Sequence, residues 1–168
     1  MRFVHALERI TAVAALIGAI LILPLVVAMI FEVVSRLVLG SPTAWAYEMS
    51  YMMMAAIFMM GIAYALKRRD HVSVDLLYGV LAPRQKALIN IAGYVLLLPC
   101  VAWLTYALFN FALQAYRTGE LTGQSAWNPV VWPYRTVLVL GFAIFALQIV
   151  AEVIKSMRVL ITNDPRGL

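Results

Sequence analysis

The residues best able to do chemistry are concentrated in one short stretch, 67–75. Only 12% of the chain is charged and 64% is hydrophobic. Within these nine residues stand six ionisable side chains: Lys67, Arg68, Arg69, Asp70, His71 and Asp75. Such a cluster can be a chemical site, with His71 as a pH-sensitive group, or an anchor that attracts anionic headgroups. His71 can also be an ordinary loop residue or a packing contact.

Two carboxylates in apolar surroundings, Glu48 and Glu32, are the other candidates. An acid inside a membrane is costly, which makes a cation or proton site the functional hypothesis for Glu48. The structural alternative is an acid near a helix start, favoured by the helix dipole and paired with Arg36 across a short hairpin. Glu32 stands four residues before Arg36, in the order that favours an ion pair on one helical face. Both interpretations remain open at this point.

Several other chemistries are disfavoured by the residues present. His5 and His71 lie outside the apolar runs, so a haem site within a helical bundle cannot be assembled. No group of His, Cys, Asp and Glu has metal-ligand spacing, and no GxSxG motif indicates a serine nucleophile. The single cysteine, Cys100, lies in an apolar run and is interpreted as a small hydrophobic residue. We therefore expect no enzymatic activity and no cofactor in this chain.

The elements that position these residues are apolar helices. A mean hydropathy of +0.91 and apolar runs of 18 or more residues predict an all-α integral membrane protein. A short amphipathic helix, at about 74–82, is expected to lie in the membrane interface between the second and third spans. The prediction is a single membrane domain over 1–168, with spans at about 11–37, 44–66, 87–116 and 130–154.

Turn, aromatic and small residues mark the boundaries of these spans. Residues 40–43 have turn-forming types, and Trp45 is typical of a membrane interface. Gly61 and Ala65 form a small-xxx-small pair, which lets another helix approach closely. Because the mass is only 18.7 kDa, no soluble domain of ordinary size remains. Capture of a substrate from water would require another chain.

The distribution of Lys and Arg predicts the orientation. Two precede the first span, five lie between the second and third, and three follow the fourth. The remaining connections hold only Arg36, Arg117 and Arg135. Both termini should therefore be cytoplasmic, with Lys67, Arg68 and Arg69 as a topology anchor at the lipid surface. The net charge of +5 is explained by topology and lipid contact, and no nucleic acid partner is expected.

Several residues recur in an order that resembles a known family. They are Arg36, then Trp45 and Glu48 after a turn, then Gly61, then basic residues followed by HVSVD at 71–75. This order resembles the DctQ-like small membrane subunit of tripartite ATP-independent periplasmic (TRAP) transporters, over roughly residues 10–155. One departure is Tyr47, which stands where many members carry the first of two adjacent acids.

The resemblance implies a multi-pass protein of the bacterial inner membrane. Its partners would be a large multi-span permease subunit and a periplasmic substrate-binding protein, and the system would import organic acids, commonly carboxylates, with a sodium gradient. The substrate and sodium sites would lie in the large subunit, while the small subunit acts as a scaffold and helps to dock the binding protein. The resemblance makes these residues structural or subunit-contact positions: Arg36, Trp45, Glu48, Gly61, His71 and Asp75.

A second hypothesis comes from the carboxylates alone. The chain could be a self-sufficient, proton-coupled small exporter that assembles as a homo-oligomer and uses Glu48 or Glu32 as its proton site. Unchanged transport in both single variants, Glu48→Gln and Glu32→Gln, would count against this hypothesis.

Overall fold

The long apolar runs of the sequence form helices in a computed structural model that describes residues 2–68 and 82–162. The helices are α1 (Arg2–Val38), α2 (Ala46–Arg68), α3 (Pro83–Thr118) and α4 (Trp132–Thr162). Each is long and apolar enough to cross a membrane, which confirms the prediction of an all-α protein with four spans. Arg69, His71, Asp75 and the interfacial helix predicted at 74–82 lie outside the described residues, except for Ala82, which directly precedes α3.

The helices extend beyond most of the predicted spans. α1 begins at Arg2 and α4 continues to Thr162, because charged residues end a hydropathy pattern without ending a helix. α2 begins only at Ala46, two residues after the predicted boundary. The backbone N–H of Ala46 donates to the Thr43 hydroxyl at 3.4 Å, as an N–H in the first turn of a helix has no acceptor within the helix.

The outer helices α1 and α3 pack through narrow seams. By a seam we mean the row of residues on one helix that contacts its neighbours. The seam residues are buried or half-buried, and successive ones are alternately three and four residues apart. Coiled coils show the same pattern, in which two residues of every seven make the contact. Most of the remaining surface of both helices is apolar and exposed, as lipid contact permits. The α1 seam is Val4, Leu7, Thr11, Ala14, Gly18, Leu21, Leu25, Ala28, Glu32 and Ser35, and the α3 seam is Ala87, Ile91, Tyr94, Leu98, Val101, Thr105, Leu108, Ala112 and Ala115.

α2 and α4 form the centre of the bundle. α2 packs against α1 on one side and α4 on another, while α3 packs against α4 and α1 also touches α4. The principal core cluster joins Ala63 and Leu66 of α2 to Phe145 and Ile149 of α4, with Val101 contributed by α3. The amino-terminal end of α1 and the carboxy-terminal part of α4 lie together, at the same end of the bundle.

Glycines permit the closest approaches between these helices. A Cβ atom at Gly18 of α1 would lie 3.2 Å from the Met60 Cβ of α2. A Cβ atom at Gly141 of α4 would lie 2.7 Å from the Met59 Cβ and 3.0 Å from the Met59 carbonyl oxygen. At Gly61, where the sequence suggested a close approach, a Cβ atom would meet no heavy atom of the described residues within 4 Å apart from the adjoining helix backbone. Within this chain the approach is therefore made at Gly18 and Gly141.

We expect the Gly141→Ala variant to be less stable by about 1–3 kcal/mol, because the added methyl group overpacks the α2–α4 contact against backbone atoms. The measurement is thermal unfolding of the purified chain in detergent. Gly93→Ala is the matched control, since Gly93 also lies within a helix and has nothing within 4 Å. Equal stability of the two variants would contradict the assigned contact.

Candidate functional site

Polar side chains gather at the two ends of the bundle. Glu48 and Lys67 mark these ends on α2 and are separated by 19 residues, or about 29 Å of helix at 1.5 Å per residue. This distance matches the roughly 30 Å thickness of a bilayer's hydrocarbon core. We call the group at the Glu48 end the outer cluster and the group at the Lys67 end the inner cluster, after the orientation predicted from Lys and Arg. The outer cluster is Glu32, Arg36, Thr43, Glu48, Glu120, Thr122 and Arg135, and the inner cluster is Glu8, Thr11, Lys67, Gln148, Glu152 and Lys155.

Glu32 ties together the hairpin between α1 and α2. Its Oε1 accepts hydrogen bonds from Arg36, at 2.6 Å from Nη2 and 3.1 Å from Nε. Its Oε2 accepts from the backbone N–H of Thr43 at 2.9 Å and from the Thr43 hydroxyl. The ion pair predicted from the four-residue spacing is thus present. Trp45 stacks on Phe31 beside it, with ring centroids 5.9 Å apart.

Glu48 is fully buried in the first turn of α2. Its Oε2 accepts a hydrogen bond of 2.7 Å from the Thr122 hydroxyl, in the connection between α3 and α4. Its Oε1 has no hydrogen-bond partner among the described residues. The alternative in which Arg36 pairs with Glu48 is not formed, because Arg36 is bonded to Glu32. Glu48 therefore joins the start of α2 to the connection between α3 and α4.

The connection at 119–131 is held by its own hydrogen bonds. It begins at Gly119, whose φ of 63° ends α3 in the left-handed conformation that glycine readily adopts. Leu121 and Val130 then form an isolated antiparallel bridge. Across the tip, the Asn128 Oδ1 accepts from the backbone N–H of Gly123 at 2.7 Å. This order places Thr122 against Glu48, a contact that the turn-forming residue types alone did not predict.

A second ion pair closes the base of this connection. Arg135, in the first turn of α4, donates to both carboxylate oxygens of Glu120 at 2.6 and 2.7 Å. Its guanidinium carbon lies 3.5 Å from the ring centroid of Phe111, and its side chain is mostly buried. The hydrogen bonds from Arg135 hold the pKa of Glu120 below its ordinary value of 4.5. The pair therefore contributes stability above that pH and loses it as the pH falls through the lower folded pKa.

Sequence reasoning missed this pair. It treated Arg135 only as a charge to be counted for topology. Arg117 and Arg135 flank the connection on either side, so the sequence offered Glu120 two equivalent partners. Only the fold of the connection selects Arg135. A cavity of about 360 Å³ lies beside the Glu120–Arg135 pair, and Tyr51, Gln124 and Tyr134 are among its other lining residues.

The inner cluster joins three helices through a continuous series of polar contacts. Lys155 lies 2.5 Å from the Glu152 Oε1 and 3.0 Å from the Glu8 Oε1. Gln148 donates to Glu152 at 2.9 Å and accepts from the Thr11 hydroxyl at 2.8 Å. Lys67 of α2 donates to the Glu8 carbonyl oxygen at 3.2 Å.

The inner cluster was also unforeseen. Glu8, Lys67 and Lys155 lay outside the predicted spans and were counted only as tail or topology residues, and Glu152 lay inside the predicted fourth span without an assigned partner. The acid and base spacing of Glu152 and Lys155 was a usable signal, since residues three apart share a helical face. Lys67, predicted as an anchor, makes a contact inside the chain, whereas Arg68 is exposed. Over residues 2–68 and 82–162, no group of three or more His, Cys, Asp or Glu side chains is arranged to hold a metal.

The Thr122→Val variant tests the hydrogen bond between Glu48, at the start of α2, and the 119–131 connection. It should reduce stability by about 1–3 kcal/mol, since both Glu48 oxygens would then be buried without a donor. Thr136→Val is the control, because the Thr136 hydroxyl is exposed and bonds only to a carbonyl of its own helix. Thermal unfolding in detergent should separate the two variants, and indistinguishable curves would refute the contact.

The Lys155→Met variant tests the inner cluster. Glu152 is 1% exposed, so removal of its cationic partner should cost about 3–5 kcal/mol. Glu152→Gln in the same background should recover part of that loss, because no unpaired charge would remain at position 152. Arg84→Met, at an exposed cation, is the control. A Lys155→Met chain as stable as the control would contradict the ion pair.

Comparison with known proteins identifies the family. The family described as "Tripartite ATP-independent periplasmic transporters, DctQ component" matches residues 25–159. The sialic acid TRAP transporter permease protein SiaT of Haemophilus influenzae (strain 86-028NP) is 24% identical over 101 residues. The aligned part is 60% of this chain but only 15% of that relative. Because the family match covers well over half of the sequence, the chain belongs to the DctQ component family of TRAP transporters, which are transport components and not enzymes.

Proposed function

We propose that this chain is the scaffold subunit of a sodium-coupled, binding-protein-dependent importer of organic acids in a bacterial inner membrane. Its family makes it the small subunit of a TRAP transporter. In the proposed complex it supports a large multi-span permease subunit and helps a periplasmic substrate-binding protein to dock. The sodium and substrate sites belong to the large subunit, and this chain carries no cofactor of its own.

The observation that carries the proposal is the engagement of charges inside the bundle. Glu32 is bonded to Arg36 and Thr43, and Glu152 to Lys155. A group that carries a substrate or coupling ion has to release and rebind it during each transport cycle. Paired groups of this kind instead fix the register between helices, because breaking them leaves a buried charge without compensation. This arrangement favours a scaffold.

The outer end of the bundle offers a surface for the binding protein. The Glu48–Thr122 hydrogen bond joins the start of α2 to the 119–131 connection. On this end Leu39, Leu121 and Trp127 are exposed. With the orientation predicted from Lys and Arg, this end faces the periplasm. We propose it as the part of the chain that a periplasmic protein touches.

The substrate class is supported by the relative. The name of SiaT assigns sialic acid to that protein, and sialic acid is an organic acid. We extend only the class of organic acids to the complex that contains this chain. The aligned region is a small part of SiaT, so a shared substrate would have to be selected by other subunits.

The exporter hypothesis keeps one supporting observation, which is the Glu48 Oε1 that lacks a partner among the described residues. A proton site also has to exchange with water, however, and Glu48 is fully buried. Glu32 accepts hydrogen bonds from Arg36 and Thr43, which leaves it poorly suited to repeated protonation. The scaffold interpretation accounts for both residues.

Reconstitution in liposomes tests the proposed function. Uptake of a radiolabelled organic acid, delivered by the binding protein, should require this chain, the large permease and an inward sodium gradient together. Omission of any one should reduce uptake to the level of empty liposomes. The control is the same mixture with potassium in place of sodium.

Transport by this chain alone would overturn the proposal. If that transport followed a proton gradient and was lost in the Glu48→Gln or Glu32→Gln variant, the exporter hypothesis would replace the scaffold proposal. Unchanged uptake by the complete complex carrying either variant is the result expected for a scaffold that still assembles.

A further inference from the structure

α2 is a central helix of the bundle, but the described part of the chain encloses it mainly on two sides. α1 covers one side and α4 another. α2 is also the least hydrophobic of the four candidate spans, although a helix with a broad lipid-facing surface should be strongly apolar. Its composition therefore suits a helix that is surrounded by protein. Within residues 2–68 and 82–162, the third side of α2 is left uncovered.

The bare side carries a regular series of residues, which we call the α2 stripe: Tyr47, Met54, Phe58, Gly61 and Ala65. Their spacings of seven, four, three and four residues place them along one helical face. Tyr47, Met54 and Phe58 are more than half exposed. Gly61 and Ala65 follow Phe58, and their small size leaves room for a neighbouring helix beside the exposed Phe58 ring. This combination of knob and hollow is what a crossing helix requires.

The rest of the bundle shows how such a hollow is used. Gly18 of α1 and Gly141 of α4 both bring their helices against the methionine-rich sides of α2. Gly61 is the glycine of α2 itself, and a Cβ atom there would meet no described heavy atom within 4 Å beyond the adjoining helix backbone. A Cβ atom at Gly93 of α3 would also meet nothing within 4 Å, but Gly93 has a large residue one turn away on either side, Ile89 and Leu97. Gly61 has Ala65 one turn away.

The depth of Gly61 restricts the kind of partner. Gly61 lies six residues before Lys67, or about 9 Å inside the inner membrane boundary. At that depth a partner cannot be a periplasmic protein. It also cannot present irregular backbone to lipid, since unsatisfied peptide groups are too costly there. The partner must be a transmembrane helix.

The identity of that helix is suggested by the relative. In SiaT the region aligned with this chain is only 15% of one longer permease polypeptide, so the corresponding helices are tethered to a much larger protein. A tether of this kind keeps the two parts at high effective concentration. From these observations we propose that the α2 stripe is the crossing site for a transmembrane helix of the large permease subunit, with the closest approach at Gly61. The inference rests on the proposed function.

The crossing helix should have a small residue opposite Gly61, because a close approach needs small residues on both helices. It should also offer an apolar recess for the Phe58 ring. Met54 suits the neighbouring contact, since its flexible side chain fills irregular gaps. Phe58 and Met54 then bury their exposed surface only in the complex.

The test is co-purification of the full chain with a tagged large permease subunit. Gly61→Leu should reduce the amount of co-purified chain by about tenfold relative to the wild type, because the leucine fills the hollow. Gly93→Leu is the matched control and should stay within about twofold of the wild type. The melting temperature of each purified chain, measured without the permease, should be unchanged by either substitution.

A photo-crosslinking amino acid at Phe58 gives an independent readout that does not depend on the folding of the Gly61→Leu variant. An adduct with the large permease supports the inference, whereas an adduct with a second copy of this chain overturns it. Full co-purification of Gly61→Leu, or equal loss with Gly93→Leu, also overturns it while leaving the proposed function intact. A wild-type chain that fails to co-purify with the permease refutes both.

Discussion

The constraint on which this structure depends is that a charge in a low-dielectric layer has to be paired. Glu152 is almost completely buried, and its position is tolerable because Lys155 lies within 2.5 Å. Lys155 also reaches Glu8, so the same cation that satisfies one helix fixes the register of α1 on α4. At the opposite end, Arg135 and Glu120 do the same for α3 and α4. Pairing thus determines both the stability of the charges and the relative positions of the helices.

Between the two ends of the bundle, the helices are held together by the packing of their side chains. In α1 and α3, two residues of every seven contact the neighbouring helices. Gly18 and Gly141 allow α1 and α4 to approach α2 closely. In lipid the hydrophobic effect does not favour larger contacts between helices, since acyl chains are as apolar as leucine. A bundle built in this way leaves most of its side chains facing outward. Such a surface is well suited to a subunit that packs beside a larger membrane protein.

The sequence predicted the helices and their number because hydropathy over 18 or more residues is a direct measure of fit to a bilayer. It also predicted the Glu32–Arg36 pair, because residues four apart on a helix have to be neighbours. It did not predict Glu120–Arg135 or Glu8–Lys155, which join residues that are distant along the chain. The partner of Glu48 was missed for the same reason, since Thr122 is brought to it by the fold of the 119–131 connection.

The central claim is that this chain works as one part of a heteromeric membrane complex, with its own charges used for structure. Native mass spectrometry of the complex extracted gently from membranes tests it most directly. The account predicts a species whose mass contains the 18.7 kDa chain together with a larger permease subunit, dissociating into the two on activation. Species that are only multiples of 18.7 kDa would contradict it.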